Sequence, residues 1–402
     1  MRQIFTNARV VLPNEDQPKA GSLNVDGDRI VPADDEPAEE IDCKGRILAP
    51  GIVDLGVFAI DKPAFRFGGI TRAALMPDQS PVLDLPAMIK QSAAEGKPDL
   101  WSHPIAAATS GLEGRHLAEI GLMKRSGAKA VATGRHWIAD SGIMLRLLQY
   151  CHSLDMPLIV HSEDSGLTHG AVATNGETAT RLGLASATAA AEAVSIARDI
   201  ALVRETGAHV HFRQVTTADG LNLIRAAKSE GLPVTCGITP AHLLLSDIAI
   251  SDFRTFTRLS PPLRSEDHRL ACLEAVRDGT IDVISSGHDP RGPEDKRLPY
   301  AEAAPGMAGA ETLLALSFTL VRDEIVSIGR LFELLSANPA KILGVEAGQL
   351  RPGYAADFIL IDADSPWQVD TRKMAAAAGN TPFDGLPVQG RVTAIYKGGR
   401  AY

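Results

Sequence analysis

The chain is poor in cysteine, in aromatic residues and in long apolar runs, and each shortage excludes something. Its four cysteines, Cys43, Cys151, Cys236 and Cys272, are scattered, with no close pair. That argues against a disulfide framework and a Cys-rich zinc site, and leaves reduced structural thiols. No apolar stretch reaches the roughly 20 residues of a bilayer-spanning helix, so no membrane partner is expected. Met1-Arg2-Gln3 leads into an alternating, strand-like run instead of an apolar core, so no secretory signal is expected and the protein should be cytoplasmic. Positive charge is short too: 40 Lys and Arg stand against 49 Asp and Glu, a net charge of −9. Such a balance argues against nucleic acid or anionic lipid as a main partner. What is present is 402 residues, 45% hydrophobic and only 5% aromatic. This suits an alanine-rich α/β protein with one large domain, or one large and one small.

Both ends alternate like antiparallel strands. Residues 4–11 and 23–31 do so at the start, with Asp26-Gly27 as a hairpin turn signal. Residues 355–361, 390–396 and 398–402 do so at the end. Together they predict one small β domain, a sandwich built from residues 1–50 and 347–402. Between them, eight runs read as parallel strands: 52–58, 71–76, 104–109, 128–132, 157–161, 208–213, 233–236 and 281–286. Helical patterns such as 117–126 and 189–206 separate most of them. Strand and helix alternating eight times predicts a (β/α)8 barrel over residues 51–346. Only about a dozen residues join Phe58 to Thr71, near the lower limit for a crossover. The first barrel helix should therefore be vestigial or missing, with Phe65 and Phe67 covering a thin place in the wall. The alanine-rich stretches 185–193 and 375–378 read as helix.

The most informative stretch runs from Arg258 to Arg291. Ser260-Pro261-Pro262-Leu263-Arg264 is a rigid turn, because each proline fixes φ and removes a donor. Ser265 then reads as an N-cap, Leu270, Leu273 and Val276 as a helical stripe, and Gly279 as the helix end. Gly287-His288-Asp289-Pro290-Arg291 lies just past the last strand, at the end where parallel barrels place their chemistry. This stretch resembles dihydroorotase, of the amidohydrolase superfamily, whose pattern is roughly NPPLR followed by DGTIDVIATDHAPH. Scaffold motifs elsewhere agree. Ile238–Asp247 reads ITPAHLLLSD against VTPHHLLLTD. Pro305-Gly306-Met307-Ala308-Gly309-Ala310-Glu311-Thr312 is similar to PGIVGLET, and Asn380-Thr381-Pro382-Phe383-Asp384-Gly385 to a late NTPFxG.

The resemblance implies a metal-assisted hydrolase of cyclic amides, in which a divalent ion polarises the carbonyl and a carboxylate takes the proton. The residues that would do this are mostly replaced. The family's DLHVH is Asp54-Leu55-Gly56-Val57-Phe58, so Gly56 and Phe58 stand where two imidazoles belong. The substrate Asn of MPNT is Asp78. The bridging carboxylate position is Thr133, followed by Gly134, and Lys129 comes too early to act as a carboxylated lysine. In His209-Val210-His211-Phe212-Arg213-Gln214-Val215-Thr216-Thr217 the ligand His is Gln214. The general base is Gly287 and the second His of that motif is Arg291. Of the ligand set only His161, in His161-Ser162-Glu163-Asp164, is kept.

No intact catalytic residue and no metal site are therefore expected; His288 with Asp289 is the fallback acid–base pair, unless the two are a solvated loop pair. Asp78, His161, Gln214, Ser260, His288 and Arg291 are the expected pocket residues. Arg135 and Arg291 could bind an anion or form ordinary surface salt bridges. Three functional readings follow. The first is a non-catalytic dihydroorotase-like protein supporting aspartate carbamoyltransferase in pyrimidine synthesis, a role the resemblance implies through known inactive homologues. The second is an active cyclic amidohydrolase with a rebuilt site, which would bring zinc back. The third is a ligand-binding, regulatory barrel. A homo- or hetero-oligomer is expected in the first.

Overall fold

The computed structural model describes residues 2–12, 15–34 and 36–402. Eight parallel strands form the barrel. In chain order they are Ile52–Val57, Ile70–Leu75, Trp101–Pro104 continuing as Ala106–Ala107, Val131–Ala132, Leu158–Val160, Val210–Phe212, Val234–Ile238 and Val283–Ile284. Each pairs in parallel with the next. The Phe58 amide closes the ring by donating to the His288 carbonyl at 2.8 Å. The first two strands are buried at every position, Asp54, Thr71 and Arg72 included, which is why they do not alternate. Pro104 is not the start of the third strand. It is the point where that strand changes neighbours, pairing through Pro104 with Leu75 and from Ala106 with Val131.

The short crossover holds a helix of seven residues, Lys62–Gly68, about two turns. Asp61 caps it by accepting from the Ala64 amide at 3.3 Å. Gly69, in the left-handed region, ends it. Phe65 is fully buried and meets the His288 ring edge-on at 5.4 Å. Phe67 is half-buried against Trp367 at 5.4 Å. The thin place in the wall is thus filled by an aromatic plug. Phe65→Ala should cost roughly 3–5 kcal/mol, seen as a lower urea midpoint at unchanged slope. A loss below about 1 kcal/mol would show that the wall does not depend on this ring.

Three sequence expectations give way here. Residues 185–193 are not one helix: Ser186–Ala187 pairs in parallel with Ala173–Thr174, and the helix is Ala190–Thr206. Residues 375–378 are an irregular loop, not a helix. Acceptors hold it open: Ala375 and Ala376 amides donate to Glu311 Oε2, and the Ala377 amide donates to Asp61 Oδ2. In the helix Glu266–Arg277 the buried residues are Cys272, Ala275 and Val276, while Leu270 faces solvent. Ser265 sits at its N-cap position without a side-chain bond.

The two ends of the chain form one sheet of eight strands among the described residues: Arg2–Val10, Lys19–Asp26, Arg29–Val31, Glu39–Asp42, Ile47–Pro50, Phe358–Gln368, Pro387–Lys397 and Arg400–Ala401. It curls so that Phe5 packs edge-on against Phe358 and Tyr396, at 4.7 and 4.9 Å. Ile47–Pro50 pairs antiparallel with Phe358–Ile361, which ties the first strands to the last. A buried ion pair fastens this sheet to the barrel. Arg72, on the second barrel strand, holds Asp357 at 2.6 Å, and Asp357 also accepts from Trp101 Nε1 and the Gly398 amide.

Candidate functional site

The carboxyl ends of the barrel strands converge on a cavity of about 30 Å³, enough for about one water molecule. That is far below the roughly 300 Å³ at which small-molecule pockets begin. Phe58, Arg135, Arg213, Gln214, Ser260 and Gly287 line it, with His242 and Asp289.

Arg213, at the end of the sixth strand, fills the space in front of Gly56. A Cβ on Gly56 would lie 3.6 Å from Arg213 Cδ. The guanidinium stands 5.2 Å from the centre of the Phe58 ring, and that of Arg135 stands 3.6 Å from it. One Arg213 nitrogen, Nη2, approaches His161 Nδ1 at 3.3 Å. Burial, then repulsion from Arg135, pushes the Arg213 pKa down to about 10. Its Nε has no partner. Of the acids nearby, Asp78 keeps one buried oxygen, Oδ2, unpartnered, and the other two are paired. Asp289 pairs with Arg135 at 2.7 Å and Arg291 at 3.1 Å, and Glu163 pairs with Arg264 at 2.7 Å.

Asp78 does not reach the cavity wall. Its Oδ1 accepts from the Arg135 amide at 2.8 Å, shaping the loop after the fourth strand. A Cβ on Gly134 would come within 2.6 Å of that oxygen, so Asp78 in this place requires a glycine at 134. Thr133 Oγ1 accepts from the His161 amide at 3.1 Å. His161 faces Glu163, 3.5 Å from Nε2. Glu163 belongs to a buried network below the cavity. Arg264, from the Pro-Pro turn, donates to Glu163, Thr174 and Thr216 and lies 3.5 Å from Glu192. Glu192 accepts from the amides and hydroxyls of Thr216 and Thr217. Burial alone would raise the Glu163 pKa, but Arg264 and then His161 reverse this and hold it at about 2.

His288 and Asp289 are adjacent in sequence but turn to different partners. His288 is fully buried, with Nδ1 accepting from the Ala310 amide at 3.3 Å and Nε2 lying 3.4 Å from Asp61. Asp289 turns to Arg135 and Arg291. Arg291 lines a neighbouring groove, not the cavity. Asn380, from the NTPF turn, ties this loop by donating to the carbonyls of Asp289 and Gly306 and accepting from the Arg291 amide. Lys129 and His209 lie together in a pocket with Lys341 and Asp155, away from this mouth. His211 is buried, with Nδ1 3.0 Å from Thr235 Oγ1, and burial pushes its pKa down to about 3.

Sequence reasoning passed over Arg213 and His242. A charged residue directly before a replaced ligand, at the end of a strand buried throughout, is the available signal for Arg213. For His242 it was the motif match alone: Nε2 donates to the Pro261 carbonyl at 3.0 Å and Nδ1 accepts from Thr239 at 2.8 Å.

A zinc site of the kind the fold suggests needs several neutral imidazoles or carboxylates around one point. The residues do not fit: among the described residues no three His, Cys, Asp or Glu side chains converge on a point that could hold a metal ion.

The profile of the amidohydrolase family matches residues 85–402, and the chain belongs to that family. Within it, the chain is similar to dihydroorotases. A dihydroorotase from Pelotomaculum thermopropionicum is 40% identical over 382 residues, covering 90% of this chain and 88% of that protein. One from Geobacter metallireducens is 36% identical over 378 residues, covering 90% and 89%. The solved L-hydantoinase (dihydropyrimidinase) of Arthrobacter aurescens superposes with a TM-score of 0.87 at 24% identity, over 99% of this chain and 95% of that one. That likeness speaks for the barrel and its accompanying β-rich part. No helix among the described residues is long and apolar enough to cross a membrane.

Proposed function

We propose that this is a cytoplasmic, non-catalytic dihydroorotase-like protein, a pseudoenzyme whose scaffold supports the assembly of aspartate carbamoyltransferase in pyrimidine synthesis. One observation carries the loss of catalysis. The Arg213 side chain and the Phe58 ring occupy the space that a metal and its imidazoles would need in front of Gly56. A guanidinium is a fixed cation with no lone pair to give, so it excludes a metal both by volume and by charge. No cofactor is part of this reading. Zinc analysis of protein loaded with excess metal and then desalted should give far less than one ion per chain. Near-stoichiometric zinc that disappears in His161→Ala would overturn the reading.

The active-enzyme alternative would need His161, His288 and Asp289 to work together. Their side chains answer to Arg213 and Glu163, to Asp61, and to Arg135 and Arg291 respectively. The partner role is supported by the retention of scaffold turns such as Ser260–Arg264 and Asn380, which hold the barrel's loops from inside, while the ligands are replaced. Deleting this chain from its native cell tests it. Aspartate carbamoyltransferase should then elute at a smaller mass and with lower activity, and adding the purified chain should restore both. If mass and activity are unchanged, the partner role fails.

A further inference from the structure

The mouth of the barrel holds a buried cation with no direct ion pair, which Asp78, Glu163 and Asp289 favour only from farther off. Arg213 is 4% exposed, yet none of the neighbouring acids comes within 4.0 Å of it. A buried charge without a partner in direct contact is costly, and proteins ordinarily supply one. Here Asp289 is already divided between Arg135 and Arg291, and Glu163 is held by Arg264. Arg135 adds a second guanidinium over the same Phe58 ring. Gln214 stands beside the cavity with its Oε1 unpartnered. Turning that amide over presents its N–H donors to the same space.

We propose that this cavity is a site for a small monovalent inorganic anion, of the class of chloride, held by the guanidiniums of Arg213 and Arg135 and by the Gln214 amide. The anion supplies the direct partner that Arg213 lacks, and the cavity of about 30 Å³ sets its size. A halide fits where a ring substrate does not. The Phe58 ring and the Met307 side chain line the remaining sides. The site thus inverts the charge logic of a metallohydrolase: the protein provides the cation, and solvent provides the anion. This inference does not depend on the partner role proposed above.

Chloride itself is the probe. The protein is exchanged into sodium gluconate, whose anion is too large for the cavity, and titrated with sodium chloride at constant ionic strength. Two signals are followed: the ³⁵Cl line width and the thermal midpoint. The wild type should broaden the ³⁵Cl line, and bromide should compete the broadening away. Its midpoint should rise by roughly 3–5 °C at about a hundredfold excess over the dissociation constant. Arg213→Met, which keeps the length without the charge, should lose both responses. In gluconate it should be at least as stable as the wild type, because the charge without a direct partner is gone. The crossing of the two stability curves as chloride rises is the signature. Equal responses from the two proteins, or no saturable response in the wild type, would overturn the proposal and leave a water site. A bromide-soaked crystal of the wild type gives an answer even if Arg213→Met does not fold. An anomalous peak against the Arg213 guanidinium supports the site, and its absence refutes it.

Discussion

Given dihydroorotate or carbamoyl aspartate, the purified protein should turn over neither above the buffer blank, with or without added zinc. A positioned general base contributes roughly 10²–10⁴-fold, and the metal supplies several kcal/mol more by polarising the carbonyl and activating water. Losing both should lower the rate by roughly five orders of magnitude or more. Putting one piece back should not rescue it. Gly287, at the place of the general base, has φ +59°, and a Cβ there would sit 3.1 Å from Thr239 Cγ2. Gly287→Asp should therefore cost about 1–2 kcal/mol in backbone strain and return no activity, since Arg213 still fills the space ahead of Gly56. Zinc-dependent turnover that is lost in His161→Ala or Asp289→Asn would contradict this account.

Arg264→Met should cost roughly 3–5 kcal/mol of stability. It leaves Glu163 and Glu192 buried without their cation, and strips a donor from Thr174 and Thr216. The sign of the pH effect follows from Glu163. Its folded pKa, about 2, lies below the ordinary 4.5, so its contribution is fully present above 4.5 and fades as pH falls toward 2. The variant lacks that contribution at every pH, and acid neutralises its uncompensated carboxylates. The difference between wild type and variant should therefore narrow as pH falls from about 5 to 3. Urea melts across that window test it. A small gap, or one that does not change with pH, would mean that Arg264 does not hold the network.

The fold was legible because barrel strands are written in runs that need no partner to be recognised. All eight appear, and the main misreading, at Pro104, came from a strand that changes neighbours in its middle. In the helical stripe of 266–277, Val276 is buried and Leu273 packs against the core as the period predicts, but the inward face also takes the small Cys272 and Ala275, and Leu270 faces solvent. The loop at 375–378 was misread for a different reason. Four alanines favour helix locally, but Glu311 and Asp61, distant in sequence, take their amides. At the site, the missing ligands could be seen one by one. What replaced them could not, because the path of the Arg213 side chain into the space before Gly56 is a matter of three dimensions. The same holds for His288, whose neighbour Asp289 suggested a pair that the loop directs apart.

The pairing of Ile47–Pro50 with Phe358–Ile361 has a consequence during synthesis. The first strands leave the ribosome long before their partner exists, roughly 300 residues and, at 5–20 residues per second, about 15–60 s earlier. Over that interval Ile47, Leu48 and Ala49, all buried in the finished protein, have an open edge. The nascent chain must carry this unsatisfied edge until Asp357 and the strand after it arrive to receive Arg72 and close the sheet. Truncating the last strands would then do more than trim a surface. It would leave the beginning of the chain permanently waiting, and such fragments should be recovered bound to chaperones or as aggregates.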